Sequence, residues 1–142
     1  MRLGVALCAA VGAVLPLIAQ AAAGALQECY QRAPTRLEVT PCLDQAKKAA
    51  TDSMLEEFLA VSQSLGELES VTGRGGKVAA LKQSQRDFER YLQSHCQVVL
   101  RSYDSGTGAG QAQRACEVDL LRQRAALLKM LAPTQGEAKT KE

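Results

Sequence analysis

The sequence predicts an all-α fold: a small antiparallel three-helix bundle stapled by two disulfides. Three observations carry this. Three long segments place apolar residues every three or four positions, the period of a helix buried on one face. Alternating β-branched runs and hairpin dipeptides are missing. Four cysteines lie outside the N-terminal apolar run: Cys29, Cys42, Cys96 and Cys116.

The first segment runs from about Pro41 to Thr72, with a stripe of Leu43, Ala46, Ala50, Met54, Phe58, Val61, Leu65 and Leu68. Two start signals compete. Thr35 and Glu38 have capping-box spacing, and Thr40 precedes Pro41 as a cap precedes a first-turn proline. A start at Thr35 would put Pro41 inside the helix, where a missing donor and a crowded ring should kink it. Gly73, Gly75 and Gly76 end the segment. The second runs from about Lys77 to Tyr103, with Val78, Leu81, Gln85, Phe88, Leu92, His95 or Cys96, Val99 and Tyr103 on one side. A glycine-rich loop, Asp104 to Gly110, follows. The third runs from about Gln111 to Leu131, with Cys116, Leu120, Leu121, Leu127, Leu128 and Leu131 expected to be buried, and Pro133 stops it. Three such helices on short loops pack as a bundle.

The N-terminus reads as a secretory signal. Arg2 precedes an uncharged, mostly apolar run from Leu3 to Ile18, followed by Ala19-Gln20-Ala21-Ala22-Ala23. Small residues at alternate positions fit cleavage after Ala21 or Ala23, and the run is short for a membrane span. The expected organisation is a signal over residues 1–23, a helical domain over 24–132 and a polar, disordered tail over 133–142. Cys8 leaves with the signal, and no stable membrane anchor is expected after cleavage. The expected compartment is oxidising, the bacterial periplasm. Four cysteines there form a disulfide framework with three possible connectivities. Zinc would need a different pattern, because no C-x-x-C pair exists and His95 is the only histidine.

Charge excludes another class. Once Arg2 is removed, sixteen Lys and Arg face fifteen Asp and Glu, a balance that argues against nucleic acid as a partner. The distribution is uneven. Residues 42–71 hold six acidic and two basic side chains, and residues 73–131 hold ten basic and five acidic. The bland reading is helices that solvate one another.

Catalytic equipment is not evident. A nucleophilic Cys96 beside His95 would need a free thiol, which an oxidising compartment with four cysteines disfavours. Glu56 and Glu57 are helical neighbours and do not face each other. Ser-His-Asp arrangements, phosphate loops and metal motifs are lacking, so the chain is expected not to be an enzyme and to need no cofactor. Gln85 sits on an apolar stripe, where a buried amide tying helices together outweighs a recognition role. Arg86 and Arg90 lie one turn apart and are expected to pair with Asp87, Glu89 or the acidic first helix.

Four motifs keep a familiar spacing: T-R-L-E-V-T-P-C with Thr35, Glu38 and Cys42; the step from Asp52 to Leu55; Q-R-D-F-E-R-Y-L-Q-S-H-C with Gln85, Arg86, Phe88, Tyr91 and Cys96; and C-E-V-D-L-L-R-Q-R with Cys116 and Arg124. Together they resemble the LprI-like family, named after a lysozyme inhibitor, over nearly all of the chain beyond the signal. The family pattern has tryptophan where this chain has Phe88, an Arg-Asp pair where it has Leu92-Gln93, and often asparagine where it has Glu56. The resemblance implies a periplasmic binding protein that inhibits lysozyme-like peptidoglycan hydrolases. A different class, an envelope interaction module or an immunity protein against a periplasmic toxin, stays open beside it. Inhibition needs occlusion of a cleft built around two carboxylates. Either a basic or amide side chain on a thin loop enters that cleft, from Gly73–Gly76 with Arg74 or from Asp104–Gly110, or the acidic face with Glu56 and Glu67 docks on a basic surface. Local disulfides are expected, Cys29 with Cys42 and Cys96 with Cys116. They close loops of about 14 and 21 residues, each worth about 3 kcal/mol in the chain-entropy picture.

Overall fold

The computed structural model describes residues 24–103, 106 and 108–131. The signal and the tail expected at the two ends lie outside the described residues, as do Asp104, Ser105 and Thr107 of the glycine-rich loop. The described chain is helical, with no strand, and it holds four helices where the sequence predicts three: α1 (Ala25–Arg32), α2 (Arg36–Thr72), α3 (Lys77–Ser102) and α4 (Ala109–Leu131).

The additional element is α1, eight residues long. A helix this short is marginal in water by itself, so its stability comes from what it touches. Ala25 and Cys29 are buried against α2 and α4. Cys29 is bonded to Cys42, and the Ala25 amide donates to Asp119 Oδ1 of α4 at 2.9 Å.

Helix α2 settles the competition between start signals in favour of Thr35, which stands as an extended N-cap, with the Glu38 amide donating to its carbonyl at 3.1 Å. The capping box does not close through side chains, since Thr35 makes no side-chain cap bond. Pro41 therefore lies inside the helix. The carbonyl it leaves without a donor belongs to Leu37, whose residue is 87% exposed, so water can take the place of the missing N–H. Of the predicted stripe, Leu43, Ala50, Met54 and Val61 are buried, Ala46, Phe58 and Leu65 pack against them, and Leu68 is exposed.

The α2–α3 turn is fixed by glycine and by one glutamate. Gly73 and Gly76 take left-handed φ of 65° and 99°, which side chains other than glycine rarely adopt. The Glu69 carbonyl accepts the Gly73 amide at 2.9 Å. Its carboxylate accepts the amides of Lys77 and Val78, the latter at 3.0 Å, and so supplies the cap that opens α3.

Helix α4 begins at Ala109, so Gly110 is helical and the expected loop is shorter than read from the sequence. Its buried face is Ala112, Ala115, Val118, Leu121, Ala125 and Leu128, while Leu127 and Leu131, expected in the core, are about half exposed. The alanines explain the difference. Three of the six buried positions are alanines, which carry less apolar weight in a sequence pattern than leucine.

Pairs that advance together, Thr40 with Gln111, Asp44 with Arg114 and Lys47 with Glu117, show that α2 and α4 run parallel. Their seam is the most extensive in the molecule. Helix α3 runs antiparallel to both, with Gln85 opposite Met54 and Arg124, and Cys96 bonded to Cys116. Helix α4 touches all three others and organises the core.

Candidate functional site

The family-motif residues gather in the structure only in part. Gln85, Phe88 and Arg124 meet where α2, α3 and α4 converge. Gln85 is 7% exposed and fully engaged: its Nε2 donates to Met54 Sδ at 3.3 Å and to Glu89 Oε1 at 3.2 Å, and its Oε1 accepts Arg124 Nε at 3.2 Å. Arg124 also donates to Ser84 Oγ at 3.1 Å, and its guanidinium lies 5.5 Å over the Phe88 ring, within cation–π range. Burial holds Arg124 below the usual arginine value, yet arginine in a protein remains charged. This junction ties three helices together through side chains that already have partners within the bundle.

The remaining motif positions point elsewhere. Thr35 and Glu38 mark the start of α2. Asp52 pairs with Lys48 at 2.5 Å on the surface, and Leu55 is 46% exposed. Arg86 bonds Gln83 rather than a carboxylate, and Arg90 pairs with Asp87. Tyr91 stacks on His95 with centroids 5.2 Å apart, so His95 faces outward while Cys96 is buried and bonded.

Two surfaces remain as candidates for a partner. The first is the α2–α3 turn. Every residue from Ser70 to Gly76 is exposed, and a Cβ added at Gly73, Gly75 or Gly76 would meet nothing within 4 Å. Arg74 stands at this apex. Among the described residues, no carboxylate lies within ion-pair distance of its guanidinium. The second is the acidic face of α2. Glu56 and Glu67 are both exposed, and Glu67 accepts Gln63 Nε2 at 3.0 Å. Eleven residues make about three helical turns, so the two carboxylates share a face.

Sequence reading missed a polar cluster beside α1. Arg122 donates to both oxygens of Glu28, at 2.9 and 3.0 Å, and Tyr30 donates to Gln111 Oε1 at 2.9 Å. The Arg122 bond holds the Glu28 carboxyl below the usual glutamate value, against a smaller opposing effect of burial. These partners are some 80 to 94 positions apart in the chain, so no local spacing could reveal them. Glu28 and Arg122 line an open groove of about 710 Å³ beside α1 and α2, together with Ala46, Ala49 and Ala50. Among the described residues no cluster of potential metal ligands forms, and no helix is long and apolar enough to cross a membrane.

Residues 26–128 match the family described as lysozyme inhibitor LprI. The chain belongs to the LprI family. Gln85, Phe88 and Arg124 thus form a polar junction within an LprI domain, and the two cystines of this LprI chain hold its helices from outside that junction. Neither the curated proteins nor the solved structures give a significant match.

Proposed function

We propose that this chain is an exported, non-catalytic inhibitor of a lysozyme-like muramidase, acting in the periplasm by inserting the α2–α3 turn into the enzyme's cleft. The family match over residues 26–128 is the observation that carries the reading. The geometry favours the turn as the inserting element. Arg74 is exposed at a narrow apex held by two left-handed glycines and by Glu69, and a guanidinium satisfies a carboxylate with two parallel hydrogen bonds. A muramidase cleft offers such carboxylates.

Docking of the acidic α2 face is the second reading, favoured by Glu56 and Glu67 on one side of the helix. Inhibition assays separate the two. Turn insertion expects Arg74→Ala to weaken inhibition at least tenfold, while Glu56→Lys with Glu67→Lys changes little. Face docking expects the reverse, with an association rate that falls as salt screens the charges. If the purified protein binds no lysozyme at micromolar concentration, the inhibitor reading fails. A toxin-neutralising or envelope-interaction role then takes its place.

A further inference from the structure

The sequence leaves two cleavage positions open, after Ala21 and after Ala23. We propose that processing occurs between Ala23 and Gly24, and that Asp119 of α4 is the seat of the α-ammonium this creates. The proposal rests on the export reading and is independent of the partner.

Asp119 already reaches across the molecule to the start of α1. Its Oδ1 accepts the amide of Ala25, the first helical residue, at 2.9 Å. Its Oδ2 takes no hydrogen bond from any described residue and stands 3.0 Å from the position a Cβ on Gly24 would occupy. Covalent geometry then puts the Gly24 nitrogen within about 5.5 Å of that oxygen. Ala25 is fully buried and Gly24 is extended, with φ −65° and ψ 158°, so this end of α1 is held in place and not left to fray.

Charge explains why such a seat is useful. Hydrolysis adds water across the Ala23–Gly24 amide: hydroxyl goes to the Ala23 carbonyl, and the amine takes up protons to become ammonium. The enzyme is a signal peptidase acting on the unfolded chain. An ammonium at a helix N-terminus opposes the helix dipole. Asp119 offsets that opposition, with Glu28 in the first turn of α1 contributing although it is shared with Arg122. Arg122 is the nearby cation on α4, and Arg32 the one on α1. Cleavage after Ala21 would carry the ammonium two residues further from Asp119.

The test begins with the full chain, exported by its own leader and analysed by intact mass and N-terminal sequencing. A chain starting at Gly24 is expected. One that starts at Ala22 or keeps the leader overturns the proposal. The ion pair is read separately, from the rate at which an N-hydroxysuccinimide ester acylates the α-amine at pH 7. Asp119→Asn keeps an oxygen to accept the Ala25 amide and removes only the charge. The native Gly24 amine should react about tenfold more slowly than in Asp119→Asn, because a neighbouring carboxylate favours the protonated, unreactive ammonium. In chains made to begin at Ala22 the same substitution should leave the rate unchanged. Equal rates in the two Gly24-starting proteins overturn the seat.

Discussion

At the scale of single residues, Gln85 decides how the bundle tolerates change. Its three partners come from α2, α3 and α4, and among the described residues it is the one polar side chain in the buried set. Gln85→Ala both opens a cavity and strips Arg124 of an acceptor, so it should cost about 2–3 kcal/mol. Gln85→Leu fills the space and should cost less, because Arg124 still reaches Ser84 and solvent; urea denaturation of the two variants checks the order. Glu28 gives a pH test. Its carboxyl is lowered by Arg122, so the stability it contributes is present above the ordinary glutamate value and is lost as pH falls through the lower folded value. Glu28→Gln should therefore destabilise the protein at pH 7, by at most about 1 kcal/mol in a pair this exposed, and the difference from the native chain should shrink as pH falls below the ordinary glutamate range, read from urea denaturation at a series of pH values. Gln85 was legible in the sequence because it interrupts an apolar stripe. Glu28, Arg122 and Asp119 were not, because each finds its partner on a distant part of the chain.

At the scale of elements, legibility follows length and side-chain size. Helix α2 spans 37 residues, and its stripe repeats often enough to be read despite Pro41. Helix α4 is found and its face is read in part: Leu121 and Leu128 are buried as expected, but half of the buried positions are alanines, which weigh less than leucine in a sequence pattern. Helix α1 went unseen because eight residues carry about two turns of pattern, and its burial rests on Ala25 and Cys29. An element of that kind depends on its anchors. Cys29→Ser with Cys42→Ser should destabilise the protein by about 3 kcal/mol. Amides of residues 25–32 should then exchange with solvent well before those of α2 and α4, by native-state hydrogen exchange.

At the scale of the whole molecule, the parallel α2–α4 seam makes the first and last long helices the principal partners, with α3 closing the bundle from the other direction. Asp44 with Arg114 and Lys47 with Glu117 set the register of that seam. The acidic character of α2 is thus partly answered by α4. The cations of α3 at Lys82, Arg86 and Arg101 find no carboxylate of α2 within ion-pair distance among the described residues. The expectation that the charged helices solvate one another holds for one pair and not for the other, because the buried face of α3 turns these side chains outward.

The placement of the two cystines has a consequence for cutting and rejoining the chain. Cys29–Cys42 closes within α1 and α2, and Cys96–Cys116 closes within α3 and α4. The peptide through Gly73, Arg74, Gly75 and Gly76 is therefore the sole covalent link between two separately stapled halves. Trypsin offered the folded protein should cut after Arg74 in this exposed turn. The halves should then part in denaturant without any reductant, which non-reducing electrophoresis would display. Mixed again in buffer, they should recover the native circular dichroism spectrum, because the seams that join them are noncovalent and each half keeps its own clasp. A native protein that survives as a nicked heterodimer can be assembled from two genes, one for each hairpin.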